Sequence, residues 1–268
     1  MNAAPRHSVI TICRNALPAL IRTVESVLPQ LTPAVEYLVV DGGSTDGTTD
    51  YLRTLEPRGV RWVSEPDRGI SDAMNKGVRL TRGAWIAHLH ADDTYLPGAV
   101  AHLLAEIDAD NADVLCGWIV KAEPEGDVIC RSDPEMMERD MGVNHPATLV
   151  RRDWFERLQG FDIALRNAMD YDFFLRAKLA GARFRIVPLA ITRFAAGGQS
   201  ERSLWNTLRE THDIRRRHLR RGWTRSRAYL VALWIKGSIR IALQRAGMTR
   251  IVDAYRRRFA WPPKTPLR

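Results

Sequence analysis

The residues with the most evident chemical potential are acids that follow apolar runs. Asp92 and Asp93 stand side by side in "HLHADDTY", directly after "AWIAHL". Asp41 follows "EYLVV", and Asp67 follows "VRWVSEP". Adjacent carboxylates repel each other and favour water, so a pair at the end of a buried strand needs a reason. In an open α/β sheet, ligands bind beyond the carboxyl ends of the strands. Acids there suit a hard cation with oxygen ligands, Mg2+ or Mn2+, and such a cation attracts a polyphosphate. The competing reading of "ADDTYLPGAV" is a helix N-cap run, because acids also favour helix N-termini. Any one Asp at a strand end can be explained that way; three successive strand ends with acids favour a site. "MDYDFF" adds Asp170 and Asp172, two apart at a helix start and so pointing in different directions. Periodicity does not choose between them. His145 in "NHPA" is a lone histidine, structural or functional. "GGQS", residues 197–200, is either a linker or a loop whose backbone N–H groups close over a diphosphate.

These residues are positioned by alternating elements. Ser8 to Cys13 reads as a strand and "ALIRTVESVLPQL" as a helix with Leu20, Val24 and Val27 on one side. "EYLVV" is a short apolar strand of the kind buried in a parallel sheet. "DGGSTDGT" is a glycine-rich turn, followed by a helix in "TTDYLRTL", a strand in "VRWVSE" and a helix in "SDAMNKGVRLT". "GAWIAHLH" is the next strand, and "LPGAVAHLLAEI" a helix with Pro97 in its first turn. This alternation predicts an α/β domain with a largely parallel sheet. Beyond residue 110 the pattern changes. "ADVLCGWIV" and "DVICR" read as strands, residues 133–142 as an irregular loop, and "RRDWFERLQG" as a short helix. "DYDFFLRAKLAG" reads as a helix closed by Gly181, "RFRIVP" as a strand, and the remainder as helical and basic.

The 268 residues suffice for one large domain plus an appendage. Charge is uneven: residues 201–268 hold 18 of the 40 basic and 4 of the 31 acidic residues, a net of +14, leaving −5 for residues 1–200. Cys13, Cys116 and Cys130 are too few and scattered for a disulfide framework or a C-x-x-C metal pair, so they read as free thiols. "SVITIC" is short and stops at Arg14, so no secretory leader is expected. No apolar run approaches the ~20 residues that span a bilayer. In the tail, "RRRHLRRGWTRSR" precedes "AYLVALWIKGSIRIAL", with Lys236, Arg240 and Gln244 on one helical side and Leu230, Trp234 and Ile241 on another. This pattern suits an interfacial helix with a polybasic flank on an anionic membrane. Nucleic acid is disfavoured, because no nucleic-acid motif accompanies the patch. A helix packed on the rest of the chain, or on a second copy, is the third reading.

The motifs "SVITICRNA", "VVDGGSTDGT", "SEPDRGISDAMNKG", "HADD", "NHPATLVRRDWFERLQGFD" and "MDYDFFLRAKLAG", in this order and spacing, resemble the family 2 glycosyltransferases over roughly residues 6–200. That resemblance implies an inverting enzyme with the GT-A fold, most similar to bacterial members that build cell-surface polysaccharides. It implies that Thr11 lines the nucleotide base and that Asp41 accepts a hydrogen bond from base or ribose. It places Asp67 in the same pocket, Asp92 nearer the ribose, Asp93 on the metal, and Asp170 as general base. His145 matches a position near diphosphate and acceptor, where Gly197, Gly198 and Ser200 could also act. Two positions depart from the family: Met169 replaces an acid before the base, and His90-Ala91 opens a motif where a small polar residue is commoner.

The expected organisation is a catalytic domain over 1–205 and a basic amphipathic extension over 206–268. The expected activity is sugar transfer from a nucleotide-sugar donor to a hydroxyl of a lipid-linked saccharide, at the inner face of the cytoplasmic membrane. Two other functions compete. A non-catalytic nucleotide-sugar-binding module has no need of the Asp41, Asp93 and Asp170 set. A nucleotidyltransferase needs a glycine- and basic-rich loop after the first strand, and "ICRNALPAL" lacks glycine. Neither a nucleophile elbow nor a P-loop motif is present.

Overall fold

The computed structural model describes residues 5–107, 112–123, 126–195, 203–220, 222, 226–246, 248 and 265–266. Its strands are β1 (His7–Cys13), β2 (Val35–Asp41), β3 (Val60–Ser64), β4 (Trp85–His88), β5 (Thr94–Tyr95), β6 (Val114–Glu123), β7 (Gly126–Cys130), β8 (Thr148–Arg151), β9 (Phe184–Phe194) and β10 (Thr265–Pro266). Strands β4, β1, β2 and β3 lie side by side and parallel. β8 joins antiparallel to β4 and to β6, β7 returns along β6, and β9 runs parallel to β6.

The parallel strands are almost continuous apolar runs because both faces are covered. In β1, Val9 belongs to one core and Ile10 to the other; in β2, Tyr37 and Val39 face one, Leu38 and Val40 the other. The first core is closed by α1 (Leu17–Val27), α2 (Thr48–Arg53) and α4 (Ala99–Ile107), through Leu20, Val24, Leu52 and Leu103. The second is closed by α3 (Ile70–Leu80), α5 (Arg152–Arg157), α6 (Met169–Leu179) and α7 (Leu204–His218), through Met74, Phe155, Phe173 and Ile214. Phe155 and Phe173 stack with ring centroids 4.7 Å apart. α8 (Arg227–Arg245) follows α7 and packs against it.

Several elements differ from the sequence reading. Pro97 does not lie in the first turn of α4, which begins at Ala99; a turn that bonds Ala99 N–H to the Leu96 carbonyl precedes it, with Gly98 at φ +79°. β9 continues past "RFRIVP" to Phe194. Pro188 falls where its register to β6 shifts, between the Cys116–Ile186 and Trp118–Ala190 pairs, and a residue without an N–H is tolerated at such a bulge. β5 and β8 have 2 and 4 residues, too short for a periodicity. Residues 133–142 contain a 3-10 turn, Pro134–Glu138, that fully buries Met137. No helix among the described residues is long and apolar enough to cross a membrane.

Candidate active site

The carboxyl ends of β1, β2 and β3 align Cys13, Asp41 and Ser64 in one row. Asp41 is fully buried. Its Oδ2 accepts from Ser44 N at 3.0 Å and from Ser64 Oγ at 2.5 Å, while Oδ1 accepts from the Ser44 hydroxyl and faces Cys13 Sγ at 3.7 Å. That burial, with Asp41 alongside, pushes the Cys13 thiol well above its ordinary range. Asp41 therefore organises the turn 42–47. The turn is latched to the start of α1 by Asn15 and by Asp46, whose Oδ2 accepts Leu17 N–H at 2.9 Å. Thr11 is also fully buried; its hydroxyl donates to Leu89 O at 2.7 Å and shares a 3.1 Å bond with Tyr37. Both residues lie beneath the cleft rather than on its surface. Asp67 accepts Gly69 N–H at 2.9 Å. A Cβ at position 42 would strike the Asp67 carboxylate, so Gly42 leaves room for that acid.

The acidic turn after β4 is held by α1. Asp92 has φ +96°, rare for a residue with a side chain. Thr23 supports it: its hydroxyl accepts Asp92 N–H at 2.9 Å and donates to Asp93 O at 2.8 Å. Arg22 on the same helix pairs with Asp92 Oδ1. Asp93 is only 5% exposed, and Ala195 N–H donates to its Oδ1 at 3.1 Å. Burial, reinforced by the neighbouring Asp92 charge, pushes its carboxyl up to about 7. A buried carboxylate with one backbone donor and a like charge beside it fits a divalent cation, which would restore its ordinary acidity. Among the described residues no three His, Cys, Asp or Glu side chains converge as a metal cluster.

A cluster of tilted and edge-on imidazoles joins this turn to Asp170. The His145 ring lies 5.4 Å from both His88 and His90, and His88 and His90 are 6.3 Å apart. Burial lowers His145 to about 4 and His90 to about 3, so all are neutral at pH 7. His145 Nδ1 approaches Asp170 Oδ2 at 4.0 Å. Asp170 opens α6, accepts Tyr171 N–H at 2.8 Å, and is pushed up to about 6 by burial. Asp172 neither caps the helix nor faces solvent. It is 1% exposed and accepts from Arg176 Nε at 2.7 Å, with His218 Nε2 at 2.9 Å. A cavity of about 260 Å³ opens beside Asp170, lined by Asn167, Thr207, Thr211, Tyr229 and Leu233.

The structure thus brings His145 to Asp170 and connects both to the Asp92–Asp93 turn through His90, with Asp41 and Asp67 at or beyond strand ends and Thr11 within β1. Gly197, Gly198 and Ser200 lie outside the described residues. Sequence reading missed Thr23, Arg22, the packing of His88 and His90 against His145, and the cavity residues of α7 and α8. Of these, only the departure at His90 gave a local signal. The outward apolar stripe of α8 is Val231, Trp234, Ile235 and Ile239, with Trp234 edge-on to Trp205 at 6.0 Å. Leu230 is half-buried instead, and the side chains of Arg240, Ile241 and Gln244 lie outside the description.

The family model Glycosyl transferase family 2 matches residues 8–175. An uncharacterized glycosyltransferase of Mycobacterium tuberculosis is 32% identical over 240 residues, 86% of this chain and 92% of that protein. Chondroitin synthase of Escherichia coli is 29% identical over 223 residues, 79% of this chain but 32% of that longer protein. Among solved structures, the mannosyltransferase PcManGT from Pyrobaculum calidifontis, in complex with GDP-Man and Mn2+, superposes with a TM-score of 0.65 at 17% identity, covering 96% of this chain and 82% of that one.

Proposed function

The chain belongs to glycosyl transferase family 2 and has the GT-A fold, and from that premise we propose that it is an inverting, metal-dependent enzyme. In this reading it moves a sugar from a nucleoside-diphosphate donor to a hydroxyl of a lipid-linked saccharide, in cell-envelope polysaccharide assembly. One observation carries the proposal: Asp170, raised to about 6, lies 4.0 Å from His145, whose ring meets that of His90 beside the Asp92–Asp93 turn.

The donor lies over the carboxyl ends of β1–β4. Asp41 and Thr11 shape its floor from beneath, Asp67 and Asp92 flank the nucleoside, and Asp93 holds the cation. When bound, that cation supplies positive charge where the diphosphate leaves. PcManGT was solved with GDP-Man and Mn2+, which supports the same donor class and cation here. The acceptor enters by the cavity at Asp170. A carboxyl near 6 is mostly ionised at pH 7 yet more basic than an ordinary carboxylate. It can take the proton of a hydroxyl brought within ~2.6–3.2 Å while that oxygen attacks the anomeric carbon from the face opposite the leaving group. The anomeric configuration is inverted, and no covalent nucleophile is needed. His145, neutral at pH 7 and 4.0 Å from Asp170, offers a hydrogen bond to diphosphate or acceptor.

The catalytic part is read as residues 1–205 together with α7, which closes the second core through Ile214, and the basic remainder of residues 206–268 as the extension that meets an anionic membrane on its cytoplasmic side. The exposed Trp205, Val231, Trp234, Ile235 and Ile239, beside the +14 tail, support this.

The test is incubation with UDP- and GDP-sugars, with and without Mn2+, and a membrane-lipid extract. Nucleoside diphosphate release with inverted anomeric product is expected. Pyrophosphate release would assign a nucleotidyltransferase, and tight donor binding without release a binding module.

A further inference from the structure

Glu210 on α7 directs its carboxylate at the main chain leading into the helix of the base. Its Oε2 accepts Asn167 N–H at 2.8 Å and Ala168 N–H at 2.9 Å, and its Oε1 accepts Arg166 N–H at 3.1 Å. Three successive peptide N–H groups on one side chain form a nest of partial positive charge that suits an anion. The contact spans 42 to 44 positions of sequence. α7 is rich in arginine, yet both Glu210 oxygens bond to the backbone, while Arg209 pairs with Asp213. The next two residues, Met169 and Asp170, open α6. α7 grips α6 again just beyond, with Arg215 Nε on Tyr171 Oη at 3.1 Å and His218 on Asp172 at 2.9 Å. Asp170 is thus bracketed on both sides by main chain and side chains tied to α7.

We propose that Glu210 is a positioning residue for Asp170: by fixing the 166–168 main chain, it sets the direction in which the Asp170 carboxylate meets the acceptor. This rests on the reading of Asp170 as the base. Glu210 also places a negative charge near the positive N-terminal end of α6, which opposes that end's stabilisation of an ionised Asp170. Other ionisable groups facing Asp170 are His145, Arg139, Asp140, Tyr171, Arg215 and Tyr229, all left intact by a change at Glu210.

The experiment uses full-length wild type, Glu210→Gln, Glu210→Ala, Asp170→Asn and the Glu210→Ala/Asp170→Asn double variant. The readout is hydrolytic release of nucleoside diphosphate from UDP-N-acetylglucosamine or GDP-mannose, whichever the wild type turns over, across pH 5 to 9 (about the range set by a base near 6). Glu210→Ala should lower kcat roughly 10–100-fold, the scale of a small misplacement of a reacting group, with donor KM changed less than about twofold. Glu210→Gln should fall less, because its amide oxygen still accepts N–H bonds. In both, the acid limb of kcat/KM should move down by roughly 0.2–0.7 pH unit, what one charge at a helix end is worth. In the Asp170→Asn background, Glu210→Ala should cost nothing further. Full additivity there, or wild-type rates and an unmoved acid limb in Glu210→Gln, would overturn the proposal while leaving the base reading intact. Turnover retained by Asp170→Asn alone would remove the base reading, and this inference with it.

Discussion

Replacing Asp93 by Asn should stabilise the metal-free protein at pH 8 and change it little at pH 4. The substituted carboxyl is 5% exposed and is pushed up to about 7, first by burial and then by Asp92, against a single stabilising N–H from Ala195. In the unfolded chain the same group has its ordinary value near ~3.9. A carboxyl whose folded value is raised contributes stability below its unfolded value and loses it as pH rises through its folded value. The gap between about 7 and ~3.9 corresponds to roughly 4 kcal/mol at pH 8. Asn keeps the oxygen that accepts the Ala195 N–H, so it removes the charge without the bond. At ~2–4 °C per kcal/mol for a chain of this size, the variant's Tm should exceed that of wild type by up to roughly 8–16 °C. Scanning calorimetry in EDTA from pH 4 to 8.5 reads the difference, which should open between about pH 4 and 7 and then level off. Mn2+ should raise the wild-type Tm and leave the variant unchanged. An equal Tm difference at pH 4 and pH 8, or a less stable variant at pH 8, would refute the burial argument, and an equal Mn2+ shift in both proteins would refute the assignment of Asp93 to a cation.

Three further outcomes are expected. Asp170→Asn should lower turnover roughly 10²–10⁴-fold with donor affinity preserved in a binding titration, and wild-type turnover should decline as pH falls through about 6; a loss of donor binding instead would displace Asp170 from the acceptor side. Asp172→Asn should cost about 3 kcal/mol in urea unfolding, because Arg176 and His218 lose a buried partner, while turnover per folded molecule stays close to wild type. Trp205→Ala/Trp234→Ala should weaken flotation with anionic vesicles, and salt should weaken the wild type further; unchanged flotation of the double variant would exclude that face.

The parallel half of the fold was legible because β1, β2 and β4 are buried on both faces and read as apolar runs. The acids were legible because each follows such a run. What the sequence hid is long-range or short. β5 and β8 have too few residues for a pattern and exist because β9 and β4 offer them edges. The choice between Asp170 and Asp172 depends on His218, 46 positions away from Asp172, and the bonds from Glu210 to the main chain before Asp170 span 42 to 44 positions. Asp41 was legible as an acid at a strand end, but not as the organiser of the turn above it. The sequence pattern groups Leu230, Trp234 and Ile241 on one side of α8, but a helix with apolar residues on several sides has no single face until its neighbours are known. In the structure Leu230 is half-buried, Val231, Trp234, Ile235 and Ile239 are exposed, and Trp234 meets Trp205 of α7 edge-on.

α8 carries Tyr229 and Leu233 on the cavity beside Asp170 and the exposed stripe Val231, Trp234, Ile235 and Ile239. Where that stripe rests on a bilayer, the reaction centre stands above the headgroups by little more than one helix thickness, ~10–12 Å. The helix then acts as a ruler. An acceptor whose growing end lies within a sugar or two of its lipid anchor reaches Asp170, whereas a longer glycan carries its end past the cavity. Under the proposed lipid-linked acceptor, this geometry would suit the opening steps of an assembly line, with longer products handed on. A graded series of lipid-linked acceptors should therefore show turnover falling as the saccharide lengthens, and a rate indifferent to length would dissolve the ruler.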